Sequence, residues 1–222
     1  MKAALPARVS LAAEPLPARR MADIAGDLTA RTFVGALFVL LSVNLLNDFM
    51  RTGRLTGLLF LISEALVVVL TIIRRRAYVV DRSVSSALLT LFSLVGPPLV
   101  RASAGPALVS DWVTAGVSTI GVAIVIAGKL TIGRSFGIAP ANRGVVARGP
   151  YTIVRHPIYA GYLLTHDATL AAFPSWWNVL SVIAGDIALV LRALAEERLL
   201  SADREYRTYC RRVTWHLVPG VY

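Results

Sequence analysis

The residues of chemical interest crowd into the last third of this 222-residue chain. One group is Arg148-Gly149-Pro150-Tyr151-Thr152-Ile153-Val154-Arg155-His156-Pro157-Ile158-Tyr159-Ala160-Gly161. A second is Arg192, Glu196 and Glu197; a third is Glu205-Tyr206-Arg207-Thr208-Tyr209, then Val213 and Pro219-Gly220. Guanidinium, imidazole, carboxylate and phenol groups together can hold a polar, zwitterionic molecule through charge-assisted hydrogen bonds. Adjacent Glu196 and Glu197 point about 100° apart on a helix, so they cannot serve one atom. Arg192 and Glu196, four apart, share a face and read equally well as a surface ion pair worth ~0.2–0.5 kcal/mol. His156 can simply cap a helix that opens at Pro157. Arg155 can anchor to a headgroup, and Tyr206 and Tyr209 can be packing residues. Cys210 is the single cysteine, which excludes an internal disulfide. His156, His166 and His216 are scattered, without zinc-site spacing, so a protein metal site is not expected.

These groups need elements to position them, and the composition says which. The chain is 56% hydrophobic with mean hydropathy +0.65. The excess lies in blocks: 32–49, 55–73, 84–100 and 112–132, then a less apolar hairpin, 158–173 and 177–195. Each approaches the ~20 residues that cross about 30 Å of hydrocarbon. The expectation is an all-α integral membrane bundle of about six spans, with a cytoplasmic C-terminal helix and cofactor pocket. With both termini inside, every Lys and Arg except Arg51, Arg54 and Arg101 falls on the cytoplasmic side. That placement explains the net charge of +10 through anionic lipid headgroups and argues against nucleic acid. Trp112, Trp176 and Trp177 fall at span ends, where indoles favour the interface. Gly96-Pro97-Pro98 must end or kink the third helix, and Gly116, Gly121 and Gly128 allow close helix approach on the fourth.

Three regions follow. Residues 1–31 lack a secretory core and read as a flexible cytoplasmic tail. Residues 32–132 form a four-span membrane region. Residues 133–222 form a catalytic region of polar loop, helical hairpin and amphipathic helix, ending in an apolar tail that can cap a pocket.

The composite GPYxxVRHPxYxG, RxxxEE and EYxxYxxxVxxxxPG resembles the isoprenylcysteine carboxyl methyltransferase family and its bacterial relatives, over roughly 132–222. That resemblance implies S-adenosylmethionine in a C-terminal cytoplasmic pocket and a lipophilic, possibly prenylated, acceptor entering laterally between helices. It implies Tyr151, Arg155, His156, Pro157, Tyr159 and Gly161 lining the cofactor pocket, with Glu196, Glu197 and Tyr206 beside it. Arg192 would face the acceptor's reacting group, and Arg192 and Glu197 would be the catalytic pair. The membrane would be the inner membrane of a bacterium or the endoplasmic reticulum of a eukaryote. The ending from Tyr209 also resembles that of membrane sterol reductases, which use NADPH, but no Gly-rich dinucleotide fingerprint follows a strand. A transporter or scaffold would equally explain Glu64, His166, Asp167 and Asp186 inside predicted spans, where charge must face the bundle or a wet cavity. Glu64, Asp167 and Asp186 are candidates for the substrate cavity.

Overall fold

The computed structural model describes residues 17–53, 55–73, 79–80, 83–96, 99–102, 106–136, 141–142 and 144–222. Seven helices dominate: α1 (Pro17–Thr52), α2 (Leu55–Ile73), α3 (Val84–Val95), α4 (Asp111–Ile132), α5 (Pro157–Ala172), α6 (Trp176–Leu200) and α7 (Arg204–Arg212). A two-residue antiparallel pairing joins Val79–Val80 to Ala141–Asn142. Short-range chemistry sets the boundaries. Ser83, Ser175 and Asp203 cap α3, α6 and α7 by accepting backbone N–H groups that would otherwise be orphaned. Pro157 opens α5, where its missing N–H costs nothing.

Among the described residues, three of these helices hold stretches long and apolar enough to cross a membrane: Arg31–Arg51, Asp111–Ile132 and Trp176–Leu200. Their outer faces carry Val39, Leu40, Ile120, Leu130, Ile183 and Ile187 in exposed positions. Such a surface suits hydrocarbon far better than water. The six-span expectation meets a limit at α3, whose 12 residues rise only ~18 Å. It stops before Gly96-Pro97-Pro98, so 84–100 is not one crossing helix. Residues 17–31, expected as a flexible tail, continue α1 instead. Residues 1–16 lie outside the described part. In the hairpin, α6 continues to Leu200, so Glu196 and Glu197 remain inside it; α7 starts after a break.

Packing divides the helices into two slabs. In one, α5 lies on α4, and α2 lies against both; in the other, α6 lies on α3. The α4–α5 contact is glycine-made. A Cβ on Gly161 would lie 2.6 Å from Val125 Cγ2 and 2.7 Å from the Gly121 carbonyl. A Cβ on Gly121 or Gly128 would meet α5 as closely, whereas Gly116 faces open space. The expected close approach therefore holds at Gly121 and Gly128 and fails at Gly116. At the far end, buried Asn178 joins the slabs: it bonds both backbone groups of Arg101 at 2.9 Å and the Phe173 carbonyl at 2.7 Å.

Gly161→Ala should lower the unfolding temperature in detergent by the equivalent of ~1–3 kcal/mol, the usual cost of overpacking. Gly116→Ala should be neutral or stabilising, because helical Gly gives up ~0.5–1 kcal/mol to Ala. Equal effects from the two variants would show that α4 and α5 do not meet as described.

Candidate functional site

The turn before α5, the last turns of α6 and the tail after α7 converge on one carboxylate. Glu197 Oε1 takes Nδ1–H of His216 at 2.7 Å and Nε2–H of His156 at 2.9 Å. Glu197 Oε2 takes Arg155 Nη1 at 3.1 Å. Arg155 also donates Nε–H to the Val213 carbonyl at 2.8 Å and Nη2–H to the Cys210 carbonyl at 3.2 Å. Its Nη1 faces His216 Nε2 at 3.4 Å, which assigns that ring its proton on Nδ1. Backbone bonds from Arg155 and His156 to the Trp215 and His216 carbonyls, both 2.9 Å, zip the tail to this turn. The Tyr222 ring stacks on His216 at 4.6 Å.

Glu196, one residue earlier, points elsewhere, as its angular offset requires. It accepts the Tyr159 hydroxyl at 3.0 Å. The His156 and Tyr159 rings stack at 5.2 Å, and the Arg192 guanidinium lies 5.5 Å over Tyr159. Arg192 is buried and reaches Ser93 of α3 at 3.3 Å. Arg192 and Glu196 thus meet on the same tyrosine.

Behind the network sits a tyrosine layer. Tyr209 donates to the Tyr151 carbonyl at 2.8 Å and packs with Tyr206 and Val213. The Tyr206 hydroxyl is buried, has no nitrogen or oxygen partner and lies beside the Cys210 sulfur, facing Glu197 and Glu196. Burial pushes the Tyr206 phenol up, and the negative charge of Glu197 adds to it. Burial likewise raises Tyr151 and Tyr209. All three remain neutral donors throughout the working range.

Of the expected cofactor-pocket residues, Arg155, His156, Tyr159, Glu196 and Glu197 come together, with Tyr206 beside them and Tyr151 held by Tyr209. Pro157 is the first residue of α5. Gly161 packs against α4, where an added Cβ would meet Val125 and the Gly121 carbonyl.

The expected cavity residues are only partly described. The Glu64 side chain lies outside the described part. Asp186 pairs with His166 at 2.6 Å across α5 and α6; Asp167, its neighbour on α5, is exposed. His216 and Lys129 went unseen as site residues. His216 lies 19 residues beyond Glu197 in an irregular tail, and no spacing rule connects them. Lys129, expected among the charges facing headgroups, is fully buried with its Nζ 4.8 Å over the Tyr162 ring. No protein-family model and no curated protein matches the chain.

Each hydrogen bond to a charged group is worth about 1.5–3 kcal/mol, so Glu197→Ala should free the tail. Hydrogen exchange at the Arg155 and His156 amides should accelerate at least ~10-fold, matching ~1.4 kcal/mol of lost protection; unchanged exchange would show that the carboxylate does not hold these segments.

The tyrosines set an alkaline limit. Their folded values are raised, so their stabilising contribution is complete below the ordinary phenol value near pH 10 and is lost as pH climbs above it. A titration followed at 295 nm should show Tyr151, Tyr206 and Tyr209 ionising together with loss of helical circular dichroism. Their ionisation within an intact helical spectrum would contradict the burial described.

Proposed function

We propose that the chain is an S-adenosylmethionine-dependent methyltransferase acting on a lipophilic acceptor at the cytoplasmic membrane face. The reading includes six membrane passages with both termini inside, so that the Glu197 network faces the cytoplasm. One observation carries it: Arg155, His156, Tyr159, Glu196 and Glu197, drawn from motifs about forty residues apart, meet at one end of a helical bundle with an apolar exterior. Membrane packing alone does not require that convergence.

The residues suit the cofactor's chemistry. A zwitterion with ribose hydroxyls needs carboxylate acceptors and neutral donors side by side. Glu196 has bonded one oxygen to Tyr159, and among the described residues nothing bonds its other. The Tyr206 hydroxyl supplies a neighbouring donor without a nitrogen or oxygen partner. Glu197 is more heavily committed, and its role is to hold Arg155 and the tail in place around the cradle. In methyl transfer an acceptor lone pair forms the new bond to carbon while the carbon–sulfur bond breaks in line, so alignment is the main requirement. Arg192, with its paired donors, suits the acceptor end.

The reductase alternative gains nothing from the geometry. Arg155, which with Arg143 and Arg148 would receive the NADPH phosphates, is already bonded to a carboxylate and two carbonyls.

Tyr206→Phe provides the discriminating experiment, because it removes a hydroxyl that contributes no nitrogen or oxygen hydrogen bond to the fold. Purified protein in detergent should bind labelled S-adenosylmethionine saturably. The Phe variant should bind about 10-fold more weakly, roughly one neutral hydrogen bond, without a lower unfolding temperature. No saturable binding by the unaltered protein at millimolar cofactor would defeat the reading.

A further inference from the structure

We infer that Ser93 of α3 is a positioning residue, which holds the Arg192 guanidinium in the orientation that meets the acceptor's reacting group. The inference rests on the methyl-transfer reading and extends the site to a helix far from the motifs in sequence.

Arg192 sits where three helices meet. It belongs to α6, lies over Tyr159 of α5 and donates Nη1–H to the Ser93 oxygen of α3, a residue 99 positions away. Ser93 is itself oriented. Its hydroxyl donates to the Thr90 carbonyl at 3.0 Å, which commits the proton to its own helix and leaves a lone pair for the guanidinium. The platform beneath is firm. A Cβ on Gly96 would meet the Ser181 carbonyl at 3.0 Å and Gly185 Cα at 3.1 Å, so α3 and α6 are pressed backbone to backbone.

A free arginine side chain samples many rotamers, and fixing its plane costs ~2 kcal/mol of entropy at the moment of binding. Two anchors, the Ser93 hydroxyl and the Tyr159 ring, fix that plane beforehand.

The depth is also suitable. Arg192 precedes Glu196 by one helical turn, about 6 Å farther from the charged end of α6. A group presented from inside the bundle therefore meets Arg192 before the carboxylates. Paired donors in a fixed plane favour an acceptor group with exposed lone pairs over one that is already protonated and cationic.

The test uses the full chain in detergent, labelled S-adenosylmethionine and four probes: S-farnesyl-N-acetylcysteine, dodecanoate, dodecanethiol and dodecylamine. For the probe that is methylated, Ser93→Ala should raise KM about 10-fold, the equivalent of one charge-assisted hydrogen bond. Cofactor affinity should not change, and Ser93→Thr, which keeps the hydroxyl, should restore KM. Thr90→Val, on the same face of α3, should leave KM alone. A Ser93→Ala variant that loses only thermal stability, weakens the cofactor equally, or is matched by Thr90→Val overturns the inference and leaves the methyltransferase reading standing. Cofactor binding without methylation of any probe overturns the acceptor assignment of Arg192 and the inference with it. Absence of cofactor binding by the unaltered protein removes the methyltransferase reading itself.

Discussion

Glu197 is the point on which the charged end of the molecule depends. Its carboxylate gathers donors from Arg155, His156 and His216, which belong to a turn, a helix start and a tail. A carboxylate removed from most of its water is costly unless its oxygens are satisfied. Here both are, so the same bonds that offset that cost also fix three chain segments relative to one another. The geometry of Arg155 follows from this: with its plane held by Glu197 and by the Val213 and Cys210 carbonyls, the loop before α5 has little freedom to move.

A different constraint governs the bundle. Glycines on α4 and α5 bring one pair of backbones into contact, and Gly96 and Gly185 do the same for α3 and α6. The sequential neighbours α5 and α6 contribute to one apolar core, with Ile158 and Tyr159 clustered with Leu189 and Ala193. Polar bonds cross that seam as well: His156 to Glu197, Tyr159 to Glu196 and His166 to Asp186. Interhelical hydrogen bonds are favourable in a membrane setting but modest, about 0.6–2 kcal/mol each.

The sequence was most legible where one rule dominates. Prolines and glycines marked the ends of α3 and the start of α5, and the angular offset of Glu196 from Glu197 anticipated their different partners. The stretch 17–31 misled because its Ala- and Arg-rich composition without an apolar core read as a tail, whereas its residues form the first turns of α1. Gly161 was placed in a pocket by motif alone; only the closeness of α4 reveals its packing role. His216 and Ser93 were out of reach for a simpler reason. Each acts through a partner far away in sequence, and hydrogen-bond partners at that separation leave no periodicity to read.

The α5 face that carries His156, Tyr159, Tyr162 and His166 has helical spacing throughout, and its rings stack in two pairs, at 5.2 Å and 5.8 Å. Each ring beyond the first meets a charged group from another helix: Arg192 at Tyr159, Lys129 at Tyr162, Asp186 at His166. Lys129 and Arg192 are almost wholly buried in a bundle whose exterior is apolar. Leucines in these positions would pack the helices without any desolvation cost, and buried ion pairs are often no better than hydrophobic replacements for stability. The stripe begins at the Glu197 network, where the proposed chemistry takes place.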